Sequence, residues 1–144
     1  MSNDAAISYL KAKMRGRRTI REMLEYYHVE LKRLEDDMNG LTSPPLDKAA
    51  VSSGYMSGAK SVRWYDLSED KDKVQEQINV LQAEWRANEA YLQRAMNKFS
   101  EDDWKLLVRI YCDGEKIIDV ADDIGYAEST LRKRLRRMLE DGTK

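Results

Sequence analysis

Between Leu131 and Leu139 the chain places Arg132, Lys133, Arg134, Arg136 and Arg137 with no acid among them, five positive charges in a stretch short enough to be one helix. Such a set can neutralise phosphates along the walls of a nucleic-acid groove, and its arginines can also grip the guanine edge in a bidentate manner. A charge run by itself is usually the solvated face of a helix, so this one takes its meaning from what precedes it. Ala121, Gly125 and Leu131 stand at the offsets of two tightly crossing helices. That crossing needs a small residue where the first helix touches the second, a glycine for the turn, and a branched apolar residue to anchor the second helix. With Leu131, Leu135 and Met138 facing inward, the 3.6-residue repeat puts Glu128, Ser129, Arg132, Lys133 and Arg136 outward, and Arg137 joins them as a candidate groove contact.

A second basic stretch, Lys11, Lys13, Arg15, Arg17, Arg18 and Arg21, runs without an acid until Glu22. It reads either as an arm contacting phosphates beside the first patch or as the solvated end of a helix. The segment before the Gly125 turn is acidic, with Asp113, Glu115, Asp119, Asp122 and Asp123 against Lys116. Those carboxylates repel phosphates if they face them; lying on the far side, pairing with the basic helix and touching a protein partner are the open alternatives.

Nothing comparable supports catalysis, and the expectation is that the chain is not an enzyme. The pairs Asp36-Asp37, Asp102-Asp103 and Asp122-Asp123 are adjacent, so on a helix they point in different directions. There is no glycine-rich phosphate loop and no serine-centred elbow. The single cysteine, Cys112, has no disulfide partner, and the single histidine, His28, has no ligand-like spacing around it, so neither a metal nor a cofactor is expected. Cys112 reads as a small residue at the end of a packed helix and His28 as a polar residue beside a seam.

The elements that must carry these residues are helical. Of the 144 residues 42% are apolar and 35% charged, with one Phe, which favours exposed helical surface over a large deep core. Ile20, Leu24, Tyr27, Leu31, Leu34, Met38 and Leu41 alternate gaps of four and three, the seam of one helix lying along another. Gly16 interrupts the same spacing upstream, which predicts a bend or frayed turn and a first helix in two pieces. Residues 40–65, with Gly40, Pro44-Pro45, Ser52-Ser53-Gly54 and Ser57-Gly58, predict a long loop in which Trp64-Tyr65 serves as a contact site or an anchor. A second seam follows at Val74, Ile78, Leu81, Trp85, Asn88, Leu92, Ala95 and Phe99, where Asn88 either fixes register or faces water at a splayed end. Ser100 looks like a helix cap before Trp104, Leu107, Val108 and Tyr111. Asp113-Gly114 ends that helix, Ile117, Val120, Ala121 and Ile124 make another, and a last helix begins after Ser129 and Thr130. The expected fold is all-α: a long antiparallel helical hairpin over 1–99, then a small three-helix helix-turn-helix domain over 100–144. No apolar run approaches the ~20 residues of a membrane span and no secretory signal is seen, so a cytoplasmic protein without a membrane partner is expected.

The stretch from Trp104 to Leu139, most clearly DVADDIGYAESTLRKRLRRML, resembles the promoter-binding C-terminal domain of bacterial sigma factors. The whole arrangement, a charged helical hairpin with a central loop followed by that domain, resembles the phage late-gene transcriptional regulators of the ArpU and RinA type. The resemblance implies double-stranded DNA as ligand and makes Ala127, Glu128, Ser129, Arg132, Lys133 and Arg136 the groove-facing set. The hairpin seams add the expectation of a homodimer reading a two-fold DNA site. Two rivals stand beside this reading. One is a module that binds RNA polymerase or another protein; the other is a DNA-packaging component like a small terminase.

Overall fold

The structure, a computed structural model, describes the backbone of residues 3–42 and 58–144 and the side chains of 3–41 and 62–144. The described chain is all-helical, with no strand. It comprises α1 (Asn3–Thr42), α2 (Gly58–Met96), α3 (Glu101–Leu107) continuing through a π-helical turn at Val108–Cys112, α4 (Ile117–Ile124) and α5 (Glu128–Gly142). Among the described residues no helix is long and apolar enough to cross a membrane. The chain divides into two compact units, residues 22–83 and residues 1–21 with 84–144.

In the first of these units the long first helix packs on the second, as the two seams demand. Leu34 of the first seam and Ile78 and Leu81 of the second are buried together with Leu67. Leu24, Tyr27, Leu31, Met38 and Val74 are half-buried beside them. Lys71 Nζ lies 3.5 Å from Glu35 Oε1 between α2 and α1. Helix runs further at both ends of the expected loop than the turn-forming residues suggest: α1 passes Gly40 to Thr42 and α2 starts at Gly58. One exposed glycine costs a long helix about 1 kcal/mol, which the amphipathic packing outweighs. Trp64 and Tyr65 therefore sit on α2, Tyr65 exposed. Pro44-Pro45 and Ser52-Ser53-Gly54 lie outside the described residues.

The second unit gathers Leu10 and Met14 of α1, Leu92 of α2, and Leu106, Leu107, Ile110, Cys112, Val120, Ala121, Leu131, Leu135, Met138 and Leu139 into one core. Gly16 does not break α1, contrary to the expected two pieces. The side chain of Asn88, buried at 4% exposure, crosses to α1 and donates from Nδ2 to the Lys13 carbonyl at 2.9 Å. A methyl group at Gly16 would stand 3.6 Å from Asn88 Oδ1, so the glycine lies at the polar crossing point of the two helices. Asn88 thus sits inside the seam and does not face water.

The C-terminal turns follow from their residues. Ser100 caps α3, its Oγ accepting from the Asp103 amide at 3.2 Å, with Glu101, Asp102 and Asp103 in the first turn where the helix dipole favours carboxylates. After the π turn Gly114 takes φ 73°. At the end of α4 Gly125 takes φ 76°, and the Tyr126 and Gly125 amides donate back to the Ala121 and Asp122 carbonyls, the paired closure that a left-handed glycine permits. The last helix starts at Glu128 after an extended Ala127, ahead of the expected Ser129-Thr130 start, with no side-chain cap.

Candidate nucleic-acid interface

Helix α5 is two-faced. Leu131, Leu135, Met138 and Leu139 are buried, and the 100° step per residue then leaves Ser129, Arg132, Lys133, Arg136 and Arg137 exposed on the opposite side, with Ala127 exposed at the start and Glu128 half-buried. The five-cation run does not act as one set. Arg134 is drawn off the exposed face: its Nη2 donates to Asp103 Oδ1 at 3.1 Å, its Nη1 to the Tyr126 hydroxyl at 2.9 Å, and the guanidinium lies 5.6 Å from the Tyr126 ring centroid. The Asp103 carboxylate holds the Arg134 charge more firmly still. Arg134 therefore ties α5 to α3 and to the turn before α5. Arg132 donates from Nη2 at 2.7 Å and Nε at 3.2 Å to one Glu128 oxygen, which lays its guanidinium along the helix surface one turn back.

The second basic stretch divides by helical phase. Lys11 Nζ stands 5.3 Å from the centroid of the Tyr111 ring. Lys11, Arg132 and Arg136 line one groove of about 350 Å³, floored by Ile7, Tyr111 and Leu135, with Asp4 and Glu140 also on its walls. Burial pushes the Tyr111 phenol up, while the nearby positive charges of Arg15 and Arg132 pull it the other way. Lys11 thus stands by the same ring as Arg132 and Arg136, and Arg15 follows Lys11 by one turn on the same face of α1. Lys13 and Arg17 turn elsewhere: Lys13 Nζ lies 5.2 Å from the Tyr9 centroid, and Arg17 donates from Nε and Nη2 to the two Glu89 oxygens at 2.7 and 2.9 Å. Burial works against the Arg17 charge, but the Glu89 carboxylate outweighs it. Arg18 donates from Nη1 to the Asp113 carbonyl at 3.2 Å and its guanidinium lies against Gly114, where a side chain would displace it.

The acidic segment has a structural use that sequence spacing does not reveal. Arg109, in the π turn, donates to both Glu115 oxygens at 2.8 and 3.0 Å and approaches Asp123 Oδ2 at 2.9 Å. Two carboxylates around one guanidinium hold the Arg109 charge firmly, and Arg109 in turn keeps the Glu115 carboxyl below the usual carboxylate range. Glu115 and Asp123 are thereby committed to α3's continuation and not to the basic helix. No periodic rule links positions 109, 115 and 123, because a turn and two helix axes intervene; the only sequence trace is an isolated Arg near an acid-rich stretch.

Cys112 is buried, and burial pushes its thiol up against the partial opposition of Arg17. His28 is exposed. Trp85, a seam position, and Trp104, on the apolar side of α3, are half-buried, Trp104 packing on Phe99 with ring centroids 5.6 Å apart. Among the described residues no group of three His, Cys, Asp or Glu side chains is placed to hold a metal ion. No protein-family model matches the chain, and neither the curated proteins nor the solved structures contain a match to it.

Proposed function

We propose that the chain is a sequence-specific DNA-binding regulator of transcription in which α4, the Gly125 turn and α5 form a helix-turn-helix and α5 enters the major groove. The observation that carries the reading is the face of α5: Arg132, Lys133, Arg136 and Arg137 exposed opposite a fully apolar stripe, directly after a glycine turn anchored by buried Ala121 and Leu131. A helix in this position presents its first turns to base edges and its cations to the groove walls. The resemblance of residues 104–139 to sigma-factor promoter-binding domains supports a role at promoters, and the resemblance of the whole arrangement, hairpin and C-terminal domain together, to the ArpU and RinA regulators suggests late-gene control. Two of the carboxylates that seemed to oppose such a role weigh less against it, since Glu115 and Asp123 share the Arg109 guanidinium, which offsets one of their two charges.

The test is selection of bound duplexes from a random-sequence pool by the full chain. Enrichment of a defined site supports the reading; retention without enrichment, or none at low salt, contradicts it.

A protein-binding reading draws on a different observation. Tyr26, Val29, Val62 and Tyr65, all in the unit of residues 22–83, are more than half exposed at 64%, 71%, 59% and 69%. Because the seam residues Leu34, Ile78 and Leu81 are already buried between α1 and α2, self-association or docking to RNA polymerase would use these side chains. Sedimentation across a concentration series separates the two uses: a monomer at every concentration leaves only docking to another protein.

A further inference from the structure

Resting on the DNA reading of α5, we infer that the start of α1 supplies a phosphate-contacting extension of that interface, made by Lys11 and Arg15 and not by Lys13 or Arg17. Lys11 shares the groove of about 350 Å³ with Arg132 and Arg136, and the Tyr111 ring at its floor stands 5.3 Å from Lys11 Nζ. Arg15 follows Lys11 by one helical turn on the same face and acts electrostatically on the same phenol as Arg132. A duplex whose major groove holds α5 brings its phosphate backbone to the flanks of that helix, and one flank is this pair of α1 cations. The Lys11 charge is set over the Tyr111 ring and the apolar lining of the groove, which restricts its positions and lowers the entropy cost of meeting a phosphate, while Arg15 is exposed one turn further along α1. The acids in the groove, Asp4 and Glu140, lie among the same walls and restrict the contact to the cationic stretch. Lys13 and Arg17 lie on the opposite side of α1 in helical phase, one over Tyr9 and the other spent on Glu89.

The experiment uses the full chain and a fluorescent duplex bearing its selected site, with a random duplex as competitor, over a salt series. Lys11→Gln and Arg15→Gln should each weaken binding to both duplexes alike, by roughly three- to tenfold, and flatten the slope of log affinity against log salt by about 0.9 per contact, leaving the ratio between duplexes unchanged. Lys13→Gln should leave affinity and slope at the wild-type values. Equal effects of Lys11→Gln, Arg15→Gln and Lys13→Gln, or none from any of them, would overturn the inference while leaving the α5 interface standing. A wild-type chain that binds neither duplex at low salt would remove the α5 reading itself.

Discussion

Two glycines near the proposed interface are required for separable physical reasons. At Gly125, φ is 76° and a methyl group would meet no neighbouring atom, so Gly125→Ala carries only the backbone cost of a left-handed residue, about 1–2 kcal/mol. Gly142 has no backbone requirement of that kind, but a methyl group there would enter the Phe99 ring, and Gly142→Ala should cost about 1–3 kcal/mol by overpacking. Urea denaturation of the two variants checks both figures. Gly125 was legible in the sequence because its partners, Ala121 and Leu131, lie within ten residues of it and the turn imposes their spacing. Gly142 was not, since its contact with Phe99 joins opposite ends of the C-terminal region and no local pattern encodes it. The same distinction separates Arg132, Lys133, Arg136 and Arg137, whose exposure follows from helical phase, from Arg134, whose capture by Asp103 and Tyr126 depends on tertiary packing.

At the scale of elements, the seams were read correctly because period and burial are the same fact in a helix that packs along another. Gly16 does not act as a break because tertiary packing outweighs its low helix propensity: Met14 beside it is buried, and the Asn88 side chain of α2 donates to the Lys13 carbonyl three residues before it. Asn88→Ala should therefore cost about 1–2 kcal/mol, the lost hydrogen bond plus the space left in a buried seam. The Arg109 pairing with Glu115 and Asp123 makes a pH-dependent prediction. Glu115 has a carboxyl held below its ordinary value in the fold, so its contribution to stability is present above the ordinary carboxylate range and is lost as pH falls through the folded value. Thermal melts of wild type and Glu115→Gln should differ at neutral pH and converge in acid, and the difference should shrink in high salt because the pair is at the surface. A gap between the two melts that persists unchanged into acid would contradict the charge-based account.

For the whole molecule, the C-terminal helices do not close a core by themselves. Leu10, Met14 and Leu92 belong to the same buried cluster as Leu107, Val120 and Leu131. A fragment of residues 100–144 should thus unfold with less cooperativity and at lower temperature than the same helices in the full chain, a comparison that calorimetry makes directly. The all-helical class and the two-seam pairing were visible in the residue pattern, whereas the sharing of α1 and α2 side chains with the C-terminal core was not, because apolar periodicity reports that a face is covered and not by what. The central claim is that α5 reads DNA, and it meets its most direct test in the discrimination between a selected site and random duplex by Arg132→Ala/Lys133→Ala, measured by fluorescence anisotropy with helical content followed by circular dichroism. The account predicts a loss of about 2–4 kcal/mol in specific binding with unchanged helicity. A double variant that folds and still distinguishes the selected site as well as the wild type would contradict it.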